Sequence, residues 1–93
     1  MADIEVKPTR QGGEYAFEVT VREGSGASQY HVTLEDADYE QLAAGRASPE
    51  ELVTESFRFL LEREPKESIL RSFDLTAISR YFPEYEREIR RRL

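Results

Sequence analysis

Residues 48–61, SPEELVTESFRFLL, constrain the fold more than any other stretch of the chain. Ser48 can cap a helix through its hydroxyl. Pro49 suits the first helical position, where a missing N–H costs nothing. Glu51 stands three residues after the cap, where it can return a hydrogen bond to the cap's own N–H. Leu52, Val53, Phe57, Phe59, Leu60 and Leu61 follow on a broad apolar arc, with Thr54, Glu55, Arg58 and Glu62 filling the remainder. On a helical wheel the arc spans about 200°. One packed face needs less than that. The pattern predicts a central helix over 48–62 that lies on one layer and carries another.

The layer beneath it is predicted upstream. In residues 14–22, Tyr15, Phe17, Val19 and Val21 alternate with Ala16, Glu18, Thr20 and Arg22, the period-2 signature of a half-buried strand. Residues 29–35 repeat it, with Tyr30, Val32 and Leu34 on one side and His31, Thr33 and Glu35 on the other. Gly24-Ser25-Gly26 lies between them. A phosphate loop would lead from a strand into a helix and carry a following lysine; these glycines lead from strand to strand and read as a hairpin turn. Ile4 and Val6 supply a weaker edge strand ended by Pro8. Three antiparallel strands with one apolar face require a cover.

Helices supply it. Asp36 can cap a short helix over 36–44 that Gly45 terminates. Pro65 stops the long helix, and residues 66–71 have room for one more turn. Asp74 can cap a segment whose Leu75, Ile78 and Phe82 share a face. Pro83 opens a last helix over 83–93, with Tyr85, Ile89 and Leu93 at four-residue spacing. The expected fold is therefore a single α+β domain over 1–93: a three-stranded antiparallel sheet over 1–35, then three to four helices over 36–93.

The composition narrows the function. With 93 residues there is one core, and with no cysteine there is no disulfide, thiolate metal site or cysteine nucleophile. The net charge of -6 disfavours general binding to phosphate backbones. No apolar run approaches the roughly 20 residues of a membrane span, and the first ten residues lack the apolar core of a signal peptide. The cytoplasm is the expected compartment.

Candidate chemistry is sparse. His31 is the lone histidine; as a general base it would need a carboxylate to orient it and a nucleophile beside it. Glu35, Asp36, Asp38, Glu40, Glu50, Glu51 and Glu55 form an acidic cluster. Four of the seven fall in first helical turns, where the helix dipole favours anions, and the spacing is not that of a calcium loop. No metal or cofactor is expected. Arg87, Arg90, Arg91 and Arg92 make the C-terminus basic, beside Glu84, Glu86 and Glu88, which favour helical ion pairs such as Glu86 with Arg90. Tyr81, Phe82 and Tyr85 crowd around Pro83. Aromatics of this kind line interfaces, and they also pin a terminal helix to a small core.

The run FLLEREPKESILRSFDLTAISRYFPEYE, residues 59–86, resembles a group of small bacterial proteins that carry no assigned function. The resemblance implies a bacterial, cytosolic protein. Ser48-Pro-Glu-Glu-Leu-Val53 is similar to the helix start of HicB-type antitoxins, in which a small antiparallel sheet precedes a helix opening with a Glu-rich capped turn. The strand-end motif of that fold is absent here, and a short helix intervenes, so the similarity transfers no functional residue.

These features predict a small non-enzymatic interaction or regulatory module. Its partner-binding candidates are Tyr81, Tyr85, Arg87, Arg90, Arg91 and Arg92, and its partner is a protein, including a second copy of itself as a homodimer. The alternatives are nucleic-acid binding through the arginine-rich end, and an enzyme using His31 with a carboxylate.

Overall fold

The alternating strands pair as their patterns require. In the computed structural model, which describes residues 2–43 and 45–93 (Gln11 by its backbone only), β1 (Asp3–Gln11), β2 (Glu14–Glu23) and β3 (Gly26–Glu35) form an antiparallel meander. Both hairpins close over two residues. Gly24 takes the first loop position of the second at φ 63°, the left-handed geometry such tight turns demand there. The register sets Phe17 beside Val32 and Val19 beside Tyr30. Phe17, Val19, Val21, Tyr30, Val32 and Leu34 are all buried on one face, with Ile4 and Val6 partly buried against them.

The α+β class holds, with two corrections to the sheet. Pro8 does not end β1: the strand runs on to Gln11, with Pro8 opposite Phe17. An edge strand tolerates proline where the missing N–H would face solvent. The sheet also has a fourth strand, β4 (Ser72–Asp74), parallel to β3 at its open edge. The His31 N–H donates to the Arg71 carbonyl at 2.7 Å and the Thr33 hydroxyl to Asp74 Oδ1 at 2.9 Å. Three residues are too few to show alternation, so β4 has no local signature.

Helix α1 (Asp36–Ala43) follows β3 directly; the end expected at Ala44 lies outside the described residues. The Asp36 carboxylate is held by both guanidinium nitrogens of Arg10, at 2.7 and 3.0 Å, a hydrogen-bonded pair that keeps its pKa below the ordinary value. Helix α2 (Pro49–Leu61) starts as its sequence requires. The Glu51 N–H donates to Ser48 Oγ at 3.1 Å, and the Ser48 N–H donates to Glu51 Oε1 at 3.2 Å.

Its apolar arc is used on two sides. Phe57 packs toward the sheet, 5.1 Å from Tyr30 and 6.0 Å from Phe73. Phe59, two residues on and so nearly opposite, meets Tyr85 edge-on at 5.3 Å. Tyr85 belongs to α4 (Tyr85–Arg92), which lies over α2. Between them the chain makes a 3₁₀ turn at Lys66–Ser68, shorter than the turn expected over 66–71, then β4, a second 3₁₀ turn at Leu75–Ala77 and α3 (Ile78–Tyr81). The helices cover one face of the sheet. The other face, carrying Glu18 and His31, is open.

Candidate functional site

The segment between α2 and α4 builds a groove. The N–H groups of Arg63 and Glu64 both return to the Leu60 carbonyl, at 3.0 and 2.9 Å, and Pro65 prevents a further turn. The turn at Lys66–Ser68 is then anchored to the sheet, because the buried Tyr30 hydroxyl donates to the Lys66 carbonyl at 2.6 Å. Lys66 pairs with Glu67 at 2.7 Å and lies against the β2–β3 turn, where a Cβ on Gly26 would meet its Nζ at 3.4 Å. The same Glu67 hydrogen bond raises the Lys66 pKa and lowers that of Glu67. Ile69 turns into the core and Leu70 turns out.

After β4, Asp74 performs two tasks. One oxygen accepts from Thr33, and the other accepts from the Thr76 N–H at 3.1 Å and caps the Leu75–Ala77 turn. Ile78 is thereby directed inward and Tyr81 outward. The result is an open apolar groove of about 170 Å³ whose walls include Leu60, Ile69, Phe73 and Ile78, with Leu70 and Tyr81 at its lip. Leu70 is 52% exposed and Tyr81 67% exposed; they are the large hydrophobic side chains left exposed among the described residues. Both border the same groove.

Tyr85 is not available to a partner. It is 0% exposed, and the expectation that it lines a partner surface with Tyr81 is corrected. Helical spacing explains this: Tyr85 and Ile89 share the face of α4 that docks, and both are buried. The Tyr85 hydroxyl lies 2.6 Å from Ser56 Oγ, which itself donates to the Leu52 carbonyl at 2.7 Å. Serine has one proton, so the phenol must donate to it. Burial drives the Tyr85 pKa far above its ordinary value.

Three of the four candidate arginines are engaged within the chain. Arg92 reaches Glu62 on the end of α2 at 2.6 Å, Arg91 pairs with Glu88 at 2.9 Å, and Arg90 lies 3.7 Å from Glu86 while donating to the Gln41 carbonyl at 3.4 Å. Arg87 is exposed and has no ion pair among the described residues. The field that these arginines present to a polyanion is largely cancelled by their own glutamates. A second concavity, about 390 Å³, lies where α2 begins and α4 ends; Arg46, Arg58 and Arg92 there alternate with Glu50, Glu51 and Glu55. It offers no net charge to an ionic ligand.

His31 and the acidic cluster lie away from the groove. On the open sheet face, Lys7, Glu18, His31 and Ser72 occupy one row across the four strands. His31 Nδ1 is 2.5 Å from Glu18 Oε2, and both side chains are solvent-exposed. Among the acidic residues, Glu51 is a capping residue, Asp36 pairs with Arg10, and Glu55 pairs with Arg58. Among the described residues no group of three or more histidines and carboxylates could hold a metal ion. No described helix is long and apolar enough to cross a membrane.

The sequence reading missed Leu70. Its one signal was negative: an apolar residue between a helix-stopping proline and a capping aspartate, belonging to neither periodic pattern. Compared with protein-family models, with curated proteins and with solved structures, the chain has no significant match.

Proposed function

We propose that the protein is a small non-enzymatic interaction module that binds a protein partner through the groove lipped by Leu70 and Tyr81. The observation carrying this reading is that the large apolar side chains left in solvent border one apolar concavity. Scattered single exposures are ordinary on a surface; convergence on one groove marks a binding site. Tyrosine is well suited to such a position, since it presents a large rigid surface with few torsions to freeze.

The test is affinity capture from native lysate with nuclease present, at low and at high salt, using wild type and Tyr81→Asp. A protein retained by wild type through nuclease and high salt, and lost with Tyr81→Asp, is the expected result. Material lost with nuclease or with salt would favour the arginine-rich end and a nucleic acid, because phosphate contacts weaken steeply as salt rises.

One observation favours a second reading. The His31 ring lies 2.5 Å from the Glu18 carboxylate, and Ser72 stands in the next strand of the same row, the residue types of a Ser-His-acid arrangement. An activated ester hydrolysed faster by wild type than by His31→Ala would support an enzyme over an interaction module.

A further inference from the structure

The groove and its lip make a self-complementary surface. We infer that its occupant is a second copy of this chain, in a twofold dimer where Tyr81 and Leu70 of each copy enter the groove of the other. This rests on the reading of the groove as a binding site and adds the identity of the partner. In a twofold interface a patch meets itself, so it must carry both projection and recess. This patch does: Tyr81 is two-thirds exposed, and the adjoining recess of about 170 Å³ is close to the roughly 150 Å³ that holds an aromatic ring in an apolar cavity.

The charges around the patch agree. Glu64 lines the groove, and Arg80 is exposed beside Tyr81. Neither has an ion pair among the described residues, although the arginines on α4 are mostly paired. In a twofold contact of the patch with itself, Arg80 of each copy would have the Glu64 wall of the other to pair with. An opposite-sign pair at the rim of an apolar contact sets register and partner choice.

Sedimentation of the full chain over a wide concentration range tests the inference. The expected result is a species of twice the 10.8 kDa chain mass. Leu70→Asp and Tyr81→Asp should sediment as monomers with unchanged circular dichroism, since both sites face solvent. Arg80→Glu and Glu64→Arg should each weaken dimerisation by roughly tenfold, and the double exchange should restore most of the loss. A wild type that is monomeric at every concentration, or a dimer indifferent to Leu70 and Tyr81, overturns the inference. If that monomer still captures another protein in a Tyr81-dependent way, only the second copy is refuted. If capture is also indifferent to Tyr81, the groove itself fails as a binding site.

Discussion

Tyr81 and Tyr85 stand four residues apart around Pro83, yet they serve opposite sides of the molecule. Tyr85 lies in a completed seat. Phe59 receives its ring edge-on, Ser56 accepts its hydroxyl proton, and Arg63 stacks on the outer face of Phe59 at 3.7 Å while holding Glu84 at 3.2 Å. Tyr81 lies at the lip of a seat that the described residues leave empty. Both seats are largely apolar, and both touch α2, one through Ser56 and Phe59 and the other through Leu60. What differs is coverage: α4 docks on one, and no element of the described chain docks on the other. Aromatic clustering in a sequence therefore marks seats, and says nothing of whether the occupant comes from the same chain.

The sharpest way to break this comparison is to remove each ring. Tyr85→Ala should cost about 3–5 kcal/mol, as buried aromatic truncations do, and Phe57→Ala a similar amount on the sheet side of α2. Both are large against the ~5–15 kcal/mol that stabilises a domain. Urea titration of each variant is the check, and a midpoint near wild type for Phe57→Ala would refute the central role of α2. The buried hydrogen-bond chain gives a smaller effect. Ser56→Ala leaves the buried phenol without an acceptor and should cost about 1–3 kcal/mol. Tyr85→Phe leaves Ser56 still donating to Leu52 and should cost about 0.5–1.5 kcal/mol. A Tyr85→Phe cost as large as that of Ser56→Ala would count against the phenol as donor.

Acid should loosen the covered seat at its edge. The Arg92 hydrogen bond holds the Glu62 carboxyl below its ordinary 4.5. A lowered folded-state pKa makes this contribution complete above that value, and it is lost as pH falls through the folded one. The Glu62 side chain is half exposed, so the effect stays under about 1 kcal/mol. Melting temperatures from about pH 6 to pH 3 should fall less in Glu62→Gln than in wild type. Smallest of all is the open seat: Tyr81→Ala in the monomer should change stability by no more than about 0.5 kcal/mol. A larger loss in dilute monomer would show that Tyr81 packs within its own chain.

The legible parts of the fold were those with local cause. The meander follows from alternation in residues 14–22 and 29–35 and from glycine at the turns. The start of α2 follows from Ser48, Pro49 and Glu51, and its burial on two sides from the width of its apolar arc. The burial of Tyr85 was half legible: its spacing with Ile89 pointed inward, and its neighbours pointed to an interface. The remainder has non-local cause. Strand β4 exists because Arg71 and Asp74 meet β3 across a long separation, and Leu70 is exposed because Ile69 is the one drawn inward. Nothing within a few residues of either position carries that information.

The parallel placement of β4 has a consequence for how the molecule assembles. Thr33 and Asp74, which join the last two strands, are 41 residues apart in sequence, whereas the two hairpins close over two residues each. Closing a long loop is entropically costly, and contacts of long sequence separation form slowly. The meander can therefore form early, whereas β4 joins it only by closing the longer loop that holds α1 and α2. In native-state hydrogen exchange, the His31 amide that reaches Arg71 should open at lower free energy than the amides shared by β2 and β3. The groove rests on that strand through Phe73, so it should share the strand's lower opening free energy and come apart in local unfolding while the meander stays paired.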